Sequence, residues 1–300
     1  KEVDRMKTGL ILEGGAMRGM YTAGVLDVMM ENNIWVDGAV GVSAGAVFGC
    51  NYKSKQIGRS IRYNKKYGRD PRYAGFHSLL KTGDYFGTEF CYHEIPEKLD
   101  PFDTETFQNN PAEFYVVGTD VTTGEAVYHK CTTGKDKDLD WFRASASMPL
   151  LSNIVEVDGY QLLDGGIADS IPLEWFRSIG YERNIIILTR DKTYHKKKNK
   201  MIPLFKTLLH KYPEVAKAMK QRHIMYNEEL RLVEEQEKAG KALVIRPSEP
   251  ITISRTENDP EKLEEVYQLG RKDGIANLKK MRTFIRTAKV EPDSLDVREK

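Results

Sequence analysis

Short apolar runs between glycine-rich or polar turns recur through most of the chain. Such runs are typical of buried strands. They predict strands at residues 8–12, 39–42, 114–118, 126–129, 184–189 and 242–245. Two more runs, 154–157 and 160–163, flank Asp158-Gly159, and this two-residue spacing predicts a hairpin with a type I′ turn.

Helical patterns alternate with these strands. Apolar residues at helical spacing predict a helix over residues 20–30 and a long helix over 213–238. Asp259 and Pro260 provide an N-cap and a proline at the first helical position, so they predict a helix that runs to about residue 284. The alternation predicts an α/β fold with a mostly parallel central sheet.

No internal repeat and no low-complexity linker divides the sequence, although its pattern becomes mainly helical towards the end. With 300 residues, of which 40% are hydrophobic, the chain can build one large core. We therefore expect one domain over residues 1–250 and a helical C-terminal extension over 251–300 that packs on the same domain.

Composition argues against several classes of protein. A formal net charge of +2 argues against a dedicated nucleic-acid binder, so we expect no nucleic-acid partner. No apolar run approaches the ~20 residues of a membrane span, and the charged start lacks the apolar core of a secretion signal. Cys50, Cys91 and Cys131 are odd in number and widely spaced, which predicts reduced thiols in a cytoplasmic protein and no structural zinc site.

The segment Gly41-Val42-Ser43-Ala44-Gly45 matches the pattern G-x-S-x-G. An apolar strand precedes it and a run of small residues follows, as a tight strand-to-helix turn requires. In such a turn Ser43 would project its Oγ outward, and the helix N-terminus would favour a developing oxyanion. An ordinary glycine-rich turn with a capping serine is the alternative, but the context favours Ser43 as a nucleophile.

A second glycine-rich turn, Glu13-Gly14-Gly15-Ala16-Met17-Arg18-Gly19, also follows a strand and opens a helix. Consecutive backbone N–H groups in such a turn can bind an anion. Ala16 stands where a dinucleotide loop has its second glycine, and Met20-Tyr21 replace the Lys-Ser/Thr of a P-loop, so phosphate binding is poorly supported. Arg18 either steadies an anionic group or the loop itself, or is an ordinary surface or salt-bridged arginine.

Asp164 is the candidate general base. It ends the predicted hairpin and is followed by Gly165-Gly166, which lets another part of the backbone approach closely. The histidines that follow Asp164 are His195, His210 and His223. The first lies in a lysine-rich loop and the other two in helical segments, so none of them suggests a Ser–Asp–His triad. We therefore predict a Ser43–Asp164 pair in contact at about 2.6–3.2 Å.

Three ordered blocks make the chain resemble the patatin-like phospholipase family of lipid acyl hydrolases. They are residues 13–19, 41–45 and 164–166, supported by Gly118-Thr119-Asp120-Val121-Thr122-Thr123-Gly124 and Ala144-Ser145-Ala146-Ser147-Met148-Pro149. The resemblance covers roughly Gly9 to Leu188. It implies a three-layer α/β/α fold, a Ser43–Asp164 dyad, and a metal-independent hydrolase of lipid acyl esters that forms an acyl-enzyme and uses no cofactor.

The resemblance also implies an oxyanion hole in the glycine-rich turn. Our hypothesis assigns it to the N–H groups of Gly14, Gly15 and Ala16, with Arg18 as a substrate-binding residue. The chain departs from the family pattern at two positions, since the family commonly has Asp where Glu13 stands and a third glycine where Ala16 stands. Alanine still provides a backbone N–H, so the hole survives if the backbone at Ala16 does not need a positive φ.

The expected partner is a lipid or another acyl-ester substrate. The alternatives are a soluble esterase or thioesterase with the same dyad, a non-catalytic acyl-lipid binding protein, and a nucleotide-binding protein that uses residues 14–19. Five lysines between residues 192 and 200 precede Met201-Ile202-Pro203-Leu204-Phe205, so peripheral contact with an anionic membrane is one interpretation. A solvated loop that leads into a packed helix is the other and simpler one.

Overall fold

A mixed β-sheet forms the centre of the molecule. The computed structural model describes residues 6–287, and within them the sheet has eight strands. The strands are β1 (Thr8–Leu12), β2 (Gly38–Val42), β3 (Glu113–Asp120), β4 (Ala126–Cys131), β5 (Val155–Val157), β6 (Tyr160–Asp164), β7 (Arg183–Ile187) and β8 (Ala242–Ile245). Their order across the sheet is β5-β6-β3-β2-β1-β7-β8, and β4 pairs with β3.

Ten α-helices accompany this sheet in the described part of the chain. They are α1 (Met20–Glu31), α2 (Ala44–Lys53), α3 (Arg59–Tyr67), α4 (Phe76–Thr82), α5 (Thr104–Asn109), α6 (Lys137–Ser145), α7 (Leu173–Ser178), α8 (Ile202–Leu208), α9 (Pro213–Lys238) and α10 (Pro260–Thr287). The other helical elements are a π-helical segment, Phe90–Leu99, and two 3₁₀ turns, Ala16–Gly19 and Gly165–Ile167.

The parallel strands bring two turns to one edge of the sheet. Strand β1 lies between β2 and β7, and both pairings are parallel. The register pairs Leu12 with Gly41. Because the carboxyl ends of neighbouring parallel strands meet at the same edge, the turns that follow β1 and β2 leave the sheet side by side.

Strand β3 brings a third segment to the same edge. It is parallel to β2, pairing Val117 with Val42, and antiparallel to β6, pairing Gly118 with Asp164. Consecutive residues of β3 therefore hold Asp164 close to Val42, the residue that precedes Ser43.

Alternate strand residues pack into two cores on opposite faces of the sheet. One face carries Leu10 and Ile185, which belong to a core that includes residues of α1, α2 and α10. The other carries Ile11 and Ile186, which belong to a core that includes residues of α7 and α9. Helices therefore cover both faces of a mostly parallel sheet, and the α/β fold with α/β/α layers expected from the sequence is confirmed.

The predicted strands overlap the observed ones, with small differences at their ends. Strand β7 ends at Ile187 instead of residue 189, because the backbone N–H of Thr189 donates to the Glu13 carboxylate at 2.6 Å. Asp158 and Gly159 have φ values of 49° and 82°, as a type I′ turn requires. The larger difference is residues 54–112, for which the sequence pattern indicated no element and which contain α3, α4, α5 and the π-helical segment.

The last helix of the described chain lies against the first. Helix α10 approaches α1 so closely that a Cβ on Gly270 would overlap the carbonyl oxygen of Tyr21. Hydrogen bonds reinforce the contact, since Tyr267 Oη donates to Asp27 at 2.7 Å and Tyr21 Oη donates to Asp273 at 3.0 Å. Helix α10 therefore takes part in the main core.

The division into residues 1–250 and 251–300 stays a prediction, and residues 1–5 and 288–300 of these segments lie outside the described residues. Among the helices of residues 6–287, none combines the length and the apolar character needed to cross a bilayer.

Helix α8 presents apolar side chains to solvent beside the lysine-rich loop. Leu204 and Leu208 are 43% and 55% exposed, whereas Ile202 and Phe205 are buried. The helix is therefore packed on one side only. Peripheral contact with an anionic membrane stays a prediction, and equal sedimentation with anionic and neutral vesicles at low salt would count against an electrostatic landing patch.

Candidate active site

Ser43 lies in a strained turn between β2 and α2. Its backbone has φ 55° and ψ −123°, a conformation that a non-glycine residue adopts at a cost of about 1–3 kcal/mol. The Ser43 N–H donates to Ser145 Oγ at 2.9 Å, which ties the turn to the end of α6. A strained serine between a strand and a helix N-terminus is typical of a nucleophile held in place for attack.

The two glycines of the G-x-S-x-G segment are required by close packing. A Cβ on Gly41 would lie 2.6 Å from the backbone nitrogen of Ala46, and a Cβ on Gly45 would overlap the carbonyl oxygen of Leu12. Larger residues would push α2 away from β1 and β2. This close approach of strand and helix explains why the segment has glycine at both positions.

Asp164 and Ser43, 121 residues apart in sequence, are in direct contact. Ser43 Oγ donates to Asp164 Oδ2 at 2.6 Å, which lies within the range expected from the sequence. The other carboxylate oxygen, Oδ1, accepts a hydrogen bond from the Gly166 N–H at 2.8 Å. Both side chains are largely buried, with 7% of Ser43 and 8% of Asp164 exposed.

Burial raises the pKa of the Asp164 carboxyl above its ordinary value. The hydrogen bond from Ser43, the charge of Arg222 and the bond from Gly166 oppose this effect because each of them favours the ionised form. Asp164 is thus a stronger base than an exposed aspartate, as a group that must accept a proton needs to be.

The glycine-rich turn after β1 lies beside the serine. A Cβ on Gly14 would come within 2.8 Å of Ser43 Cβ, so only glycine fits there. Within the described residues, the N–H groups of Gly14, Gly15 and Ala16 take no part in a backbone hydrogen bond. They remain available to a ligand, as an oxyanion hole requires.

The backbone at Ala16 has a positive φ, contrary to the condition set in the sequence analysis. The hole was expected to tolerate alanine if the backbone had no positive φ there, but φ of Ala16 is 50°. The alanine Cβ in this region is unfavourable by about 1–2 kcal/mol. The chain therefore keeps the turn that a glycine would form more easily, at the expense of local strain.

Helix α9 supports the glycine-rich turn after β1 and the turn that follows Asp164. Tyr226 Oη donates to Glu13 Oε1 at 2.5 Å, at the start of the glycine-rich turn. One helical turn earlier, Arg222 Nε donates to the carbonyl oxygen of Gly166, behind Asp164. Neither α9 residue has a role that could be predicted from the sequence, since both lie far from the recognised blocks and carry no motif of their own.

Arg18 is buried next to the site. It is 9% exposed, and within residues 6–287 its Nε has no hydrogen-bond partner. Burial, followed by the nearby charge of Arg190, lowers the pKa of Arg18 to about 10. Of the two roles left open for Arg18, the ordinary surface or salt-bridged arginine does not fit this environment.

Two cavities meet at Ser43. The first, of about 110 Å³, is mostly apolar and lies between α2 and the segment 54–112. The lining residues that come from this segment are Arg59, Tyr63, Tyr73, Phe86, Cys91, Tyr92, Ile95, Pro96 and Phe102. Sequence reasoning missed them all, because scattered aromatic residues there form no periodic pattern.

The second cavity, of about 410 Å³, is the more polar of the two and also includes Asp164 and residues 13–16 in its wall. His223 lies in the same wall, and its Nδ1 is buried without a hydrogen-bond partner among the described residues. The hydrogen-bonded partner of Ser43 is nevertheless the carboxylate of Asp164. His195 and His210 are exposed.

Elsewhere, His129, Cys131 and Asp138 bring potential metal ligands within 4.8 Å of one another. The Asp138 carboxylate, however, already accepts hydrogen bonds from His129 and from the N–H groups of Thr132, Thr133 and Gly134. His129 also stacks on Trp141. Hydrogen bonding within the fold accounts for this cluster without a metal.

Parts of this chain are similar in sequence to known proteins. Lysophospholipase nte1 of Aspergillus niger is 27% identical over 183 residues, which are 57% of this chain and 11% of that protein. The uncharacterized protein YjjU of Escherichia coli is 31% identical over 194 residues, which are 61% of this chain and 52% of that protein. The chain thus spans about half the length of these relatives or much less. The crystal structure of VipD from Legionella pneumophila covers 92% of this chain, and 67% of VipD is covered, with 10% identity and a TM-score of 0.46.

Two family models match the chain. Residues 212–286 match a domain of unknown function, DUF6363, which here comprises α9, β8 and all but the last residue of α10. Residues 10–176 match the model described as patatin-like phospholipase and include both turns, Ser43 and Asp164. Because this second match extends over more than half of the chain, the protein belongs to the patatin-like phospholipase family.

Proposed function

We infer that the protein is a lipid acyl hydrolase with Ser43 as nucleophile and Asp164 as general base. The observation that carries this proposal is the 2.6 Å hydrogen bond from Ser43 Oγ to Asp164 Oδ2. It occurs at the meeting point of an apolar cavity and a polar one. An acyl ester has this division, with a hydrocarbon chain on one side of the carbonyl and an alcohol on the other.

The proposed reaction begins when Asp164 takes the Ser43 proton and Oγ attacks the ester carbonyl. The resulting oxyanion is held by the N–H groups of Gly14, Gly15 and Ala16. As the C–O bond to the alcohol breaks, the alcohol takes the proton from Asp164 and leaves an acyl group on Ser43. Asp164 then accepts a proton from water, which attacks the acyl-enzyme and releases the fatty acid, and the proton returns to Ser43.

Labelling with a fluorophosphonate probe tests this proposal directly. Only an activated serine attacks such a probe at a useful rate, so we expect Ser43 to be the labelled residue when the modified protein is mapped by mass spectrometry. Neighbouring serines provide an internal control, because Ser145 and Ser147 lie close by and have no carboxylate partner within residues 6–287. Failure to label Ser43 in the folded protein would favour the non-catalytic lipid-binding alternative.

The pH dependence of turnover is expected to show the state of Asp164. The raised pKa of this carboxyl means that it holds its proton at a higher pH than an ordinary aspartate, whose pKa is about 3.9. A protonated Asp164 cannot accept the serine proton, so activity should fall on the acid side with a midpoint above that value. Measuring kcat/KM for a soluble p-nitrophenyl ester against pH checks the sign, and a midpoint below about 3.9 contradicts it.

The alternative is a soluble esterase or thioesterase with the same dyad and smaller substrates. It can be distinguished from a lipid acyl hydrolase by the acyl chain length that the enzyme prefers. The apolar cavity supports a preference for longer chains, since its wall buries hydrocarbon. Turnover of p-nitrophenyl esters from acetate to decanoate distinguishes the two, because an enzyme for small acyl groups loses activity as the chain lengthens.

A further inference from the structure

The polar cavity beside Ser43 is strongly basic. Its wall contains six cationic side chains and two carboxylates, Glu13 and Asp164. The cations are Arg18, Arg190, Lys196, Lys197, Arg222 and Arg255. Within residues 6–287, none of these six forms a side-chain ion pair. The cavity therefore carries an excess of positive charge that its own walls leave unneutralised.

The two carboxylates are already engaged. Glu13 accepts hydrogen bonds from the Thr189 N–H and from Tyr226 Oη, and Asp164 accepts from Ser43. Neither is placed to pair with all the surrounding cations. Arg18, buried and with its Nε unpartnered among the described residues, is the clearest case of a cation that lacks an acceptor.

Mutual repulsion among these groups supports the same conclusion. Loss of hydration, together with the charges of Arg222 and Arg255, lowers the pKa of Lys196 to about 7. A lysine in this state loses its proton readily and regains it when an anion binds beside it. Like charges that outnumber the nearby counter-charges destabilise the free protein, so six cations facing two carboxylates in a cavity next to a nucleophile indicate an anionic ligand.

Most of these cations come from the chain beyond the family match at residues 10–176. Arg190 and Lys196 follow β7, Arg222 is on α9, and Arg255 lies between β8 and α10. The carbonyl oxygen of Arg255 accepts a hydrogen bond from the Met17 N–H at 3.4 Å, which holds this last segment against the glycine-rich turn. The C-terminal part of the chain thus builds the charged wall.

We propose that this wall binds the phosphate group of the substrate, so that the enzyme acts on acyl esters of a glycerol phosphate whose headgroup is anionic. The proposal rests on the proposed function and deepens it. With the ester carbonyl at Ser43, the acyl chain occupies the apolar cavity and the phosphate faces Arg190, Lys196 and Arg255. A phosphate monoester gains charge-assisted hydrogen bonds there, whereas the ammonium group of a choline headgroup meets repulsion.

Monomeric substrates test the preference without any contribution from membrane attraction. Dihexanoyl phosphatidic acid and dihexanoyl phosphatidylcholine, both below their critical micelle concentrations, are compared by kcat/KM with the full chain. We expect the anionic substrate to be preferred by about tenfold or more, the effect of about 1.4 kcal/mol of differential binding. Equal values, or a preference for the choline lipid, overturn the proposal.

Substituting one cationic residue at a time shows which side chains cause the preference for the anionic substrate. Lys196→Gln and Arg255→Gln should each reduce the ratio of the two kcat/KM values by about threefold to tenfold. Lys198→Gln is the matched control, since Lys198 is exposed in the same loop and is not part of the cavity wall. A ratio that falls as much in Lys198→Gln as in Lys196→Gln overturns the assignment to the cavity. Arg222 is not substituted, because its bond to Gly166 supports the turn behind Asp164.

Inorganic phosphate distinguishes a headgroup site from a site for free phosphate. Competition by millimolar phosphate against phosphatidic acid, together with the substrate preference, supports the proposal. Phosphate binding by calorimetry without any substrate preference assigns the cavity to free phosphate and overturns it. Fluorophosphonate labelling of Ser43 in the same samples distinguishes failure of the headgroup proposal from failure of the proposed function. If Ser43 is labelled but no headgroup preference is found, only the headgroup proposal is overturned.

Discussion

Replacing Ser43 by alanine, or Asp164 by asparagine, is expected to reduce hydrolysis of a p-nitrophenyl acyl ester by about 10³-fold or more. Alanine removes the attacking oxygen. Asparagine keeps the shape of the site, because its carbonyl oxygen can accept from the Gly166 N–H and its amide can donate to Ser43 Oγ. It cannot take a proton, so the hydroxyl stays unactivated while the fold is preserved. Purified variants assayed at equal concentration provide the measurement.

The control for this prediction is His223→Ala. His223 lines the same polar cavity and is the histidine that a conventional triad would recruit. If Asp164 acts directly on Ser43, the His223 variant retains most of its turnover of the neutral ester. Loss of activity in His223→Ala with retained activity in Asp164→Asn would disprove the dyad. Thermal unfolding of all three variants excludes a folding defect as the cause.

Gly270→Ala is expected to destabilise the whole protein by about 3 kcal/mol. A methyl group at this position overlaps the carbonyl oxygen of Tyr21, a backbone atom that cannot rotate away. Helices α1 and α10 must then separate, and the bond between Tyr21 and Asp273 is weakened with them. Urea unfolding followed by tryptophan fluorescence measures the change in the free energy of unfolding.

Gly274→Ala, one helical turn further on, is the matched control. The added methyl group would lie 3.3 Å from Val28 Cβ and 3.4 Å from Val25 Cα, so small adjustments accommodate it. Both substitutions gain about 1 kcal/mol of helix propensity, which leaves contact with α1 as their main difference. If Gly270→Ala costs no more stability than Gly274→Ala, then α10 does not pack on α1 as described, and the C-terminal segment is more independent than we expect.

The strands and the nucleophile turn were predictable because their causes are local. Apolar runs between turn residues predict buried strands wherever they occur. The glycines around Ser43 indicate a close approach of backbones, and the structure places Leu12 and Ala46 where a side chain would collide. The contact between Ser43 and Asp164 spans 121 residues, and it was predictable only because each lies in a recognisable block at a strand end.

The cavity walls could not be predicted because they are tertiary properties. Tyr63 and Phe86 of the apolar cavity belong to a segment without clear periodicity. The cations of the polar cavity come from separate loops and helices, and only the fold brings them together. The positive φ of Ala16 was also missed, since an alanine gives no sign of a left-handed backbone.

The two hydrogen bonds from α9 have a consequence for how this protein can change. Arg222 and Tyr226 are four residues apart, so they lie on one face of the helix and hold the glycine-rich turn and the turn after Asp164 at a fixed separation. Inserting a single residue between them would swing one anchor about 100° around the helix axis and release one of the turns. The spacing inside α9 is therefore as constrained as the motifs themselves. Residues 10–176 cannot be exchanged for a homologous segment unless residues 212–286 are exchanged with them.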